Sequence, residues 1–170
     1  MAGKLVQVAT NTVSSAVSSV ILTGIDSDDV YMVAINNFTS TSDSVDPVTR
    51  VTASGTAQST SNYDRAFKVL KADTSFQNVS GQNRDAFDVL TGAGTGTGEQ
   101  NNAILYLYNF NNASVYSHIS VENVAINASA STRGSMGGSV YTVNEAHDGL
   151  SFSFSSGNIA SGTFTLYKVI

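Results

Sequence analysis

The stretch Leu150-Ser-Phe-Ser-Phe-Ser-Ser-Gly-Asn-Ile-Ala-Ser-Gly-Thr-Phe-Thr-Leu-Tyr-Lys-Val-Ile170 contains two runs of alternating apolar and polar residues with a short polar turn between them. In the first run Leu150, Phe152 and Phe154 share one side of an extended chain, and serines occupy the other side. In the second run Phe164 alternates with threonines. This pattern predicts a half-buried antiparallel hairpin at the end of an all-β domain.

The rest of the chain carries the same kind of signal, namely short apolar or alternating runs bounded by Ser, Asn, Asp and Gly. Eight further segments are predicted as strands: Leu5–Ala9, Ala16–Leu22, Val30–Ile35, Val48–Ala53, Tyr63–Leu70, Ala103–Phe110, Val115–Val124 and Val140–Val143. Residues 36–46 are predicted as a polar loop and residues 84–90 as the place for a helical turn. About nine or ten short strands at close spacing predict an antiparallel jelly-roll sandwich, a single domain over residues 1–170.

Composition excludes several classes of protein. The net charge is −5 and the eight basic residues are scattered, which argues against nucleic-acid binding. No stretch is long and apolar enough for a transmembrane helix, and the first residues lack the apolar core of a signal peptide. Cysteine is absent, and charged residues make up 12% of the chain, about half of the usual share. A surface with few charges suits contact with other protein surfaces.

One acidic turn is a candidate metal site. Asp26, Asp28 and Asp29 lie in a single turn, and carboxylates at this spacing are ligands that Ca²⁺ accepts. The set lacks a complete calcium loop and a bidentate Glu, so a solvated acidic turn is the alternative interpretation, which we favour. We assign no metal ligand from the sequence.

Two further patterns resemble catalytic or cofactor motifs without completing them. The loop Gly92–Gly98 is rich in glycine but lacks the Lys-Ser/Thr pair of a phosphate-binding loop, and it precedes a strand. His118 and Glu122 share one strand face about 13 Å apart, too far for direct pairing. His147 precedes an aspartate in a turn, and no nucleophile elbow accompanies either histidine. The sequence therefore predicts a protein that is not an enzyme, with no catalytic residue and no cofactor.

Aromatic residues concentrate in and beside the most apolar predicted strand. Tyr106, Tyr108, Phe110 and Tyr116 are predicted to pack mainly in the core, because that strand is apolar on both faces. Any of them that lies on an outer face is a candidate for contact between subunits.

Four segments in this order resemble a family of small jelly-roll virion proteins of tailed phages, many of them marine. They are Gly3-Lys-Leu-Val, Gly24-Ile-Asp-Ser-Asp-Asp-Val-Tyr-Met-Val-Ala-Ile-Asn-Asn37, Asn102-Ala-Ile-Leu-Tyr-Leu-Tyr-Asn-Phe-Asn111 and Ser156-Gly-Asn-Ile-Ala-Ser-Gly-Thr-Phe-Thr-Leu-Tyr167. The last segment is the most specific, and together they span nearly the whole chain.

The resemblance implies a phage virion structural protein, assembled in the host cytoplasm and commonly trimeric. It implies contacts with itself and with the major capsid protein or other virion proteins. A capsid decoration (cement) protein is the first expectation, because the predicted fold begins within a few residues of Met1 and leaves no anchoring segment. The alternative is a tail or tail-fibre jelly-roll module that binds a host receptor or glycan.

Overall fold

The computed structural model describes residues 3–88 and 90–170, which form twelve strands and no α-helix. In chain order the strands are β1 (Leu5–Val13), β2 (Val20–Thr23), β3 (Tyr31–Ser40), β4 (Pro47–Ala53), β5 (Thr56–Ala57), β6 (Tyr63–Lys71), β7 (Phe76–Arg84), β8 (Asn101–Tyr108), β9 (Ser117–Ile126), β10 (Thr132–Tyr141), β11 (Gly149–Phe154) and β12 (Ile159–Val169). The two strands beyond the ten that the sequence predicts are β5 and β7.

The strands form two antiparallel sheets with a jelly-roll order. The larger sheet has the order β1-β12-β3-β8-β9-β10-β6-β7, and the smaller has the order β2-β11-β4-β5. Strand β1 pairs with β12, β2 with β11, β3 with β8 and β4 with β5, so the pairs are nested as in one long hairpin rolled into two layers. The predicted all-β antiparallel jelly-roll sandwich is confirmed.

Four strands extend the larger sheet beyond this nested set. The chain leaves the roll after β5 to make β6 and β7, returns for β8, and leaves again for β9 and β10. Strand β10 pairs with both β9 and β6, which joins the two excursions into one continuous sheet. We call β6, β7, β9 and β10 the extension, and the eight nested strands the sandwich.

Phenylalanines from both sheets fill the centre of the sandwich. Phe38 of β3 lies 4.4 Å from Phe154 and 5.1 Å from Phe164, measured between ring centroids. Phe152 of β11 lies 5.1 Å from Phe164 of β12, and all four side chains are buried. Each of these residues lies on the inward side of an alternating strand, which is why the alternation is so regular.

The predicted C-terminal hairpin is wrong. Strand β11 pairs with β2 and β4, whereas β12 pairs with β1 and β3, so the two strands lie in opposite sheets. The turn at residues 155–158 carries the chain across the sandwich. Alternation shows only that each strand has one buried face, and it does not distinguish side-by-side pairing from packing face to face.

Other local predictions also change. The predicted helical turn at 84–90 is absent from its described residues: β7 runs to Arg84, and residues 85–88 form an irregular loop, with residue 89 outside the description. The predicted loop at 36–46 begins as strand, since β3 continues to Ser40 past a bulge at Asn37 with φ of 55°. The predicted strand at Tyr63–Leu70 is confirmed. No helix that could cross a membrane occurs in the described part of the chain.

Candidate functional site

The acidic turn is occupied by donors from the protein itself. The Tyr31 hydroxyl donates to Asp26 Oδ1 at 2.9 Å, and the Lys168 ammonium lies 2.7 Å from Asp29 Oδ2. Asn112 Nδ2 donates to Asp28 at 2.7 Å. The hydrogen bond from Tyr31 lowers the pKa of Asp26, and the hydrogen bond from Lys168 lowers the pKa of Asp29. No group of three or more side chains placed to hold a metal ion occurs among residues 3–88 and 90–170. Asn112 and Lys168 connect the turn to the loop after β8 and to β12.

The glycine-rich loop encloses an acidic side chain. Glu99 is nearly buried, and its Oε2 accepts a hydrogen bond of 2.8 Å from the Gly96 amide. A Cβ on Gly94 would lie 2.7 Å from the Ala128 Cα and closer still to the Glu99 carboxylate. These glycines therefore give the loop room to close over Glu99, and the loop cradles a carboxylate rather than a phosphate.

The two histidines have unrelated surroundings. His118 and Glu122 both lie on the exposed face of β9, as predicted. His147 is fully buried beside Phe110 and Tyr141. Its Nδ1 lies 2.8 Å from Ser117 Oγ, and its Nε2 lies 3.1 Å from Glu145 Oε1.

This Ser, His and Glu arrangement is structural. Neither Ser117 nor the imidazole of His147 is accessible to a substrate, since both residues are fully buried. The serine contacts Nδ1 and the acid contacts Nε2, the reverse of the nitrogens used in the serine-hydrolase triad. Burial lowers the pKa of His147, so the ring is held neutral as a hydrogen-bonding brace.

The aromatic cluster divides between core and surface. Phe110 is fully buried, as predicted, but β8 alternates and has one exposed face. Tyr106 is 40% exposed and Tyr116 is 44% exposed, while Tyr108 is half-buried with its hydroxyl 3.3 Å from Ser120 Oγ. The prediction of core packing is therefore wrong for Tyr106 and Tyr116, because no second layer among the described residues covers the outer face of the larger sheet.

The exposed side of the larger sheet carries an apolar surface, which we call the outer patch. Register places its members on one face of adjacent strands β8, β9, β10, β6 and β7. They are all exposed large apolar residues: Ile104, Tyr106, Val124, Met136, Leu70 and Phe76. Glu122 and Lys68 flank Met136 on the neighbouring strands. An exposed apolar surface with a few charges of both signs is typical of a protein contact site.

The inner side of the extension forms a cleft of about 780 Å³, which we call the arginine cleft. Its walls are the inner faces of β6, β7 and β10, the edge of β4, and residues 85–88 and 90–92. All four arginines of the chain line it, together with one lysine: Arg50, Arg65, Arg84, Arg133 and Lys71.

Ion pairs hold one side of this cleft. Asp88 Oδ2 lies 2.9 Å from Arg65 and 3.4 Å from Arg84. Asp85 pairs with Arg50 at 2.8 Å and so ties the loop to β4. The amide of Phe87 donates to the Thr49 carbonyl at 2.9 Å, which covers the part of the β4 edge that short β5 leaves open.

Sequence reasoning did not single out these arginines. They are spaced 15, 19 and 49 positions apart, and only the pairing of β10 with β6 and the return of the loop to β4 bring them together. The low share of charged residues in the chain was the one signal in the sequence that could have drawn attention to the arginines. Comparison with protein-family models, with curated proteins and with solved structures finds no match to this chain.

Proposed function

We propose that this protein is a phage virion structural protein, a capsid decoration protein that associates with itself and with the capsid surface. The single observation that carries the proposal is the outer patch. It is broad and rich in exposed apolar side chains, on a sheet face that no part of residues 3–88 and 90–170 covers. The family resemblance supplies the phage setting and the expectation of a trimer.

A second copy of the same chain is the occupant that the chemistry of the patch favours. Glu122 and Lys68 carry opposite charges on either side of Met136, so two patches that face each other can offset each other's charges. Strand β1 adds a second surface of the same kind: it is an edge strand without a charge between Leu5 and Val13, and its backbone groups are open on one side. Contact with neighbouring copies of the chain would bury the apolar side chains of the outer patch and pair the open backbone groups of β1.

The test combines solution mass with binding to capsids. We expect the wild type to be oligomeric by analytical ultracentrifugation and to co-sediment saturably with tailed-phage capsids stripped of their minor proteins. Met136→Lys should dissociate the oligomer, because it places a charge in the centre of the patch. Ile21→Lys is the matched control, an equally exposed apolar residue on β2 of the other sheet. A wild type that is monomeric and does not bind capsids would overturn the proposal.

The second candidate function is a tail or tail-fibre module that binds a host receptor, and the arginine cleft is the observation that favours it. Binding sites for small ligands are concave and combine apolar walls with a few convergent polar groups. Saturable binding to host cells in place of capsids would favour this candidate over decoration.

A further inference from the structure

We propose that the arginine cleft binds a carboxylate-bearing sugar. The inference does not depend on the capsid proposal, since the cleft opens on the inner side of the extension and the outer patch lies on the opposite face. Four features of the cleft carry it: its charge, an unsatisfied pair of cations, its neutral polar groups and its apolar wall.

The cleft concentrates positive charge in an acidic protein. It is lined by five of the eight basic side chains but only three of the thirteen acidic ones, which leaves a local excess of two positive charges in a chain of net charge −5. A concave surface lined mainly by one sign of charge raises the local concentration of ligands of the opposite sign. The field of the cleft therefore selects an anion that the rest of the molecule repels.

Two of the cations lie side by side without a carboxylate partner among the described residues. Arg133 of β10 and Lys71 of β6 are directly opposite each other in register and point to the same inner face. Like charges in this position destabilise a sheet. The nearest acidic turn contains Asp73, whose Oδ1 accepts hydrogen bonds from the Ser75 hydroxyl and amide. These hydrogen bonds lower the pKa of Asp73 and both cations lower it further, but no ion pair joins it to either of them among the described residues.

Arg133 also has a buried donor with no acceptor. Its Nε is shielded from solvent and makes no hydrogen bond among residues 3–88 and 90–170. A buried donor without a partner is costly, and exceptions of this kind call for a physical explanation. A bound carboxylate would accept hydrogen bonds from the planar guanidinium and would offset the repulsion between Arg133 and Lys71.

The remaining lining matches a sugar better than other anions. The amide side chains of Gln77 and Asn127 line the cleft and can hydrogen-bond to hydroxyl groups of a ligand, whereas the hydroxyls of Thr91 and Ser135 already donate to Asn123. Apolar side chains of Phe67, Val79 and Phe154 offer a surface for the C–H face of a ring. Three aspartates near the cations disfavour a doubly charged phosphate more than a singly charged carboxylate.

Titration calorimetry with small probes tests the proposal. We expect glucuronate or N-acetylneuraminate to bind the wild type saturably at millimolar concentration or below, with affinity that falls as salt is added. Glucose and inorganic phosphate should bind at least tenfold more weakly. Arg133→Gln should weaken binding of the acidic sugar at least tenfold, while Lys4→Gln, which removes a cation distant from the cleft, should not.

Several outcomes would overturn the proposal. No binding of either acidic sugar would do so, and so would equal or tighter binding of phosphate or of a short polyglutamate peptide. Arg133→Gln must retain the wild-type Tm, or exceed it, since the substitution relieves repulsion between like charges. The same variant should keep the solution mass and capsid binding of the wild type, so the failure of one proposal is distinguishable from the failure of the other.

Discussion

The inner face of the larger sheet is apolar in the sandwich, whereas in the extension it combines apolar with charged side chains. Where the smaller sheet covers it, the inner face is apolar and fully buried, as at Val33, Leu105 and Phe164. In the extension the same side of the same sheet carries Arg65 and Arg133, and a loop covers it instead of a sheet. A sheet packs through its side chains alone, whereas a loop also offers free backbone carbonyls to hydrogen-bond donors. The covering layer, rather than the strand type, decides whether charge is tolerated inside.

The largest expected effect is in the sandwich. Phe152→Ala removes a fully buried ring that contacts Phe164 across the two sheets, and we expect a loss of about 3–5 kcal/mol in the free energy of unfolding. Leu70→Ala, an exposed residue of the extension, should change it by about 0.5 kcal/mol or less. Chemical denaturation measures both. Equal losses of free energy would contradict the expectation that the buried core of the sandwich contributes more to stability than the exposed side chains of the extension.

An intermediate effect is expected at the ion pairs of the cleft. Asp88→Asn removes the charge that two arginines share in a partly buried position, and it should cost about 1–3 kcal/mol. The backbone conformation of Asp88, with φ of 44°, is one that asparagine also tolerates. Asp85→Asn is the matched control. Asp85 is 59% exposed, so its loss should cost about 0–1 kcal/mol.

If Asp85→Asn costs as much as Asp88→Asn, attachment of the loop to β4 matters more than the charges inside the cleft. Urea denaturation of both variants at low and at moderate salt separates these cases. Salt should reduce the contribution of the exposed pair more than that of the partly buried pair.

The smallest expected effect is a pH dependence where the two halves meet. Burial lowers the pKa of His147, so the unfolded chain takes up a proton at higher pH than the folded chain does. The stabilisation is complete above the unfolded-state pKa near 6.5 and is lost as the pH falls towards the lower folded-state value. The wild-type Tm should therefore fall between about pH 7.5 and about pH 5.5.

His147→Gln should abolish most of that fall in Tm. His118→Gln, which removes the exposed histidine of β9, should leave the fall unchanged. The groups facing the imidazole are Ser117, Glu145, Phe110 and Tyr141, with Asp148 next in sequence. Scanning calorimetry at the two pH values decides the question, and an identical fall in both variants would assign the pH dependence to the carboxylates.

The sandwich was largely predictable from the sequence, because its strands alternate and its inward residues are apolar. Phe152 and Phe164 were correctly placed on buried faces, yet their pairing was wrong, since side-chain period carries no information about which strand lies alongside. Strand β7 has almost no apolar residues and is held by backbone pairing to β6, so it left no pattern to detect. The arginine cleft was unpredictable for a related reason: it exists only through the contact of two separate excursions of the chain.

The nesting of β1 with β12 has a consequence for synthesis on the ribosome. The Thr10 hydroxyl bonds the Phe164 carbonyl across 154 positions of sequence. At about 5–20 residues per second, β1 waits about 8–30 s for its partner strand β12, whereas β8, β9 and β10 can pair as they emerge. An uncharged strand left open for that time is a template for other nascent copies. The time taken to translate the residues between β1 and β12 therefore sets how long neighbouring chains on one polysome can pair wrongly.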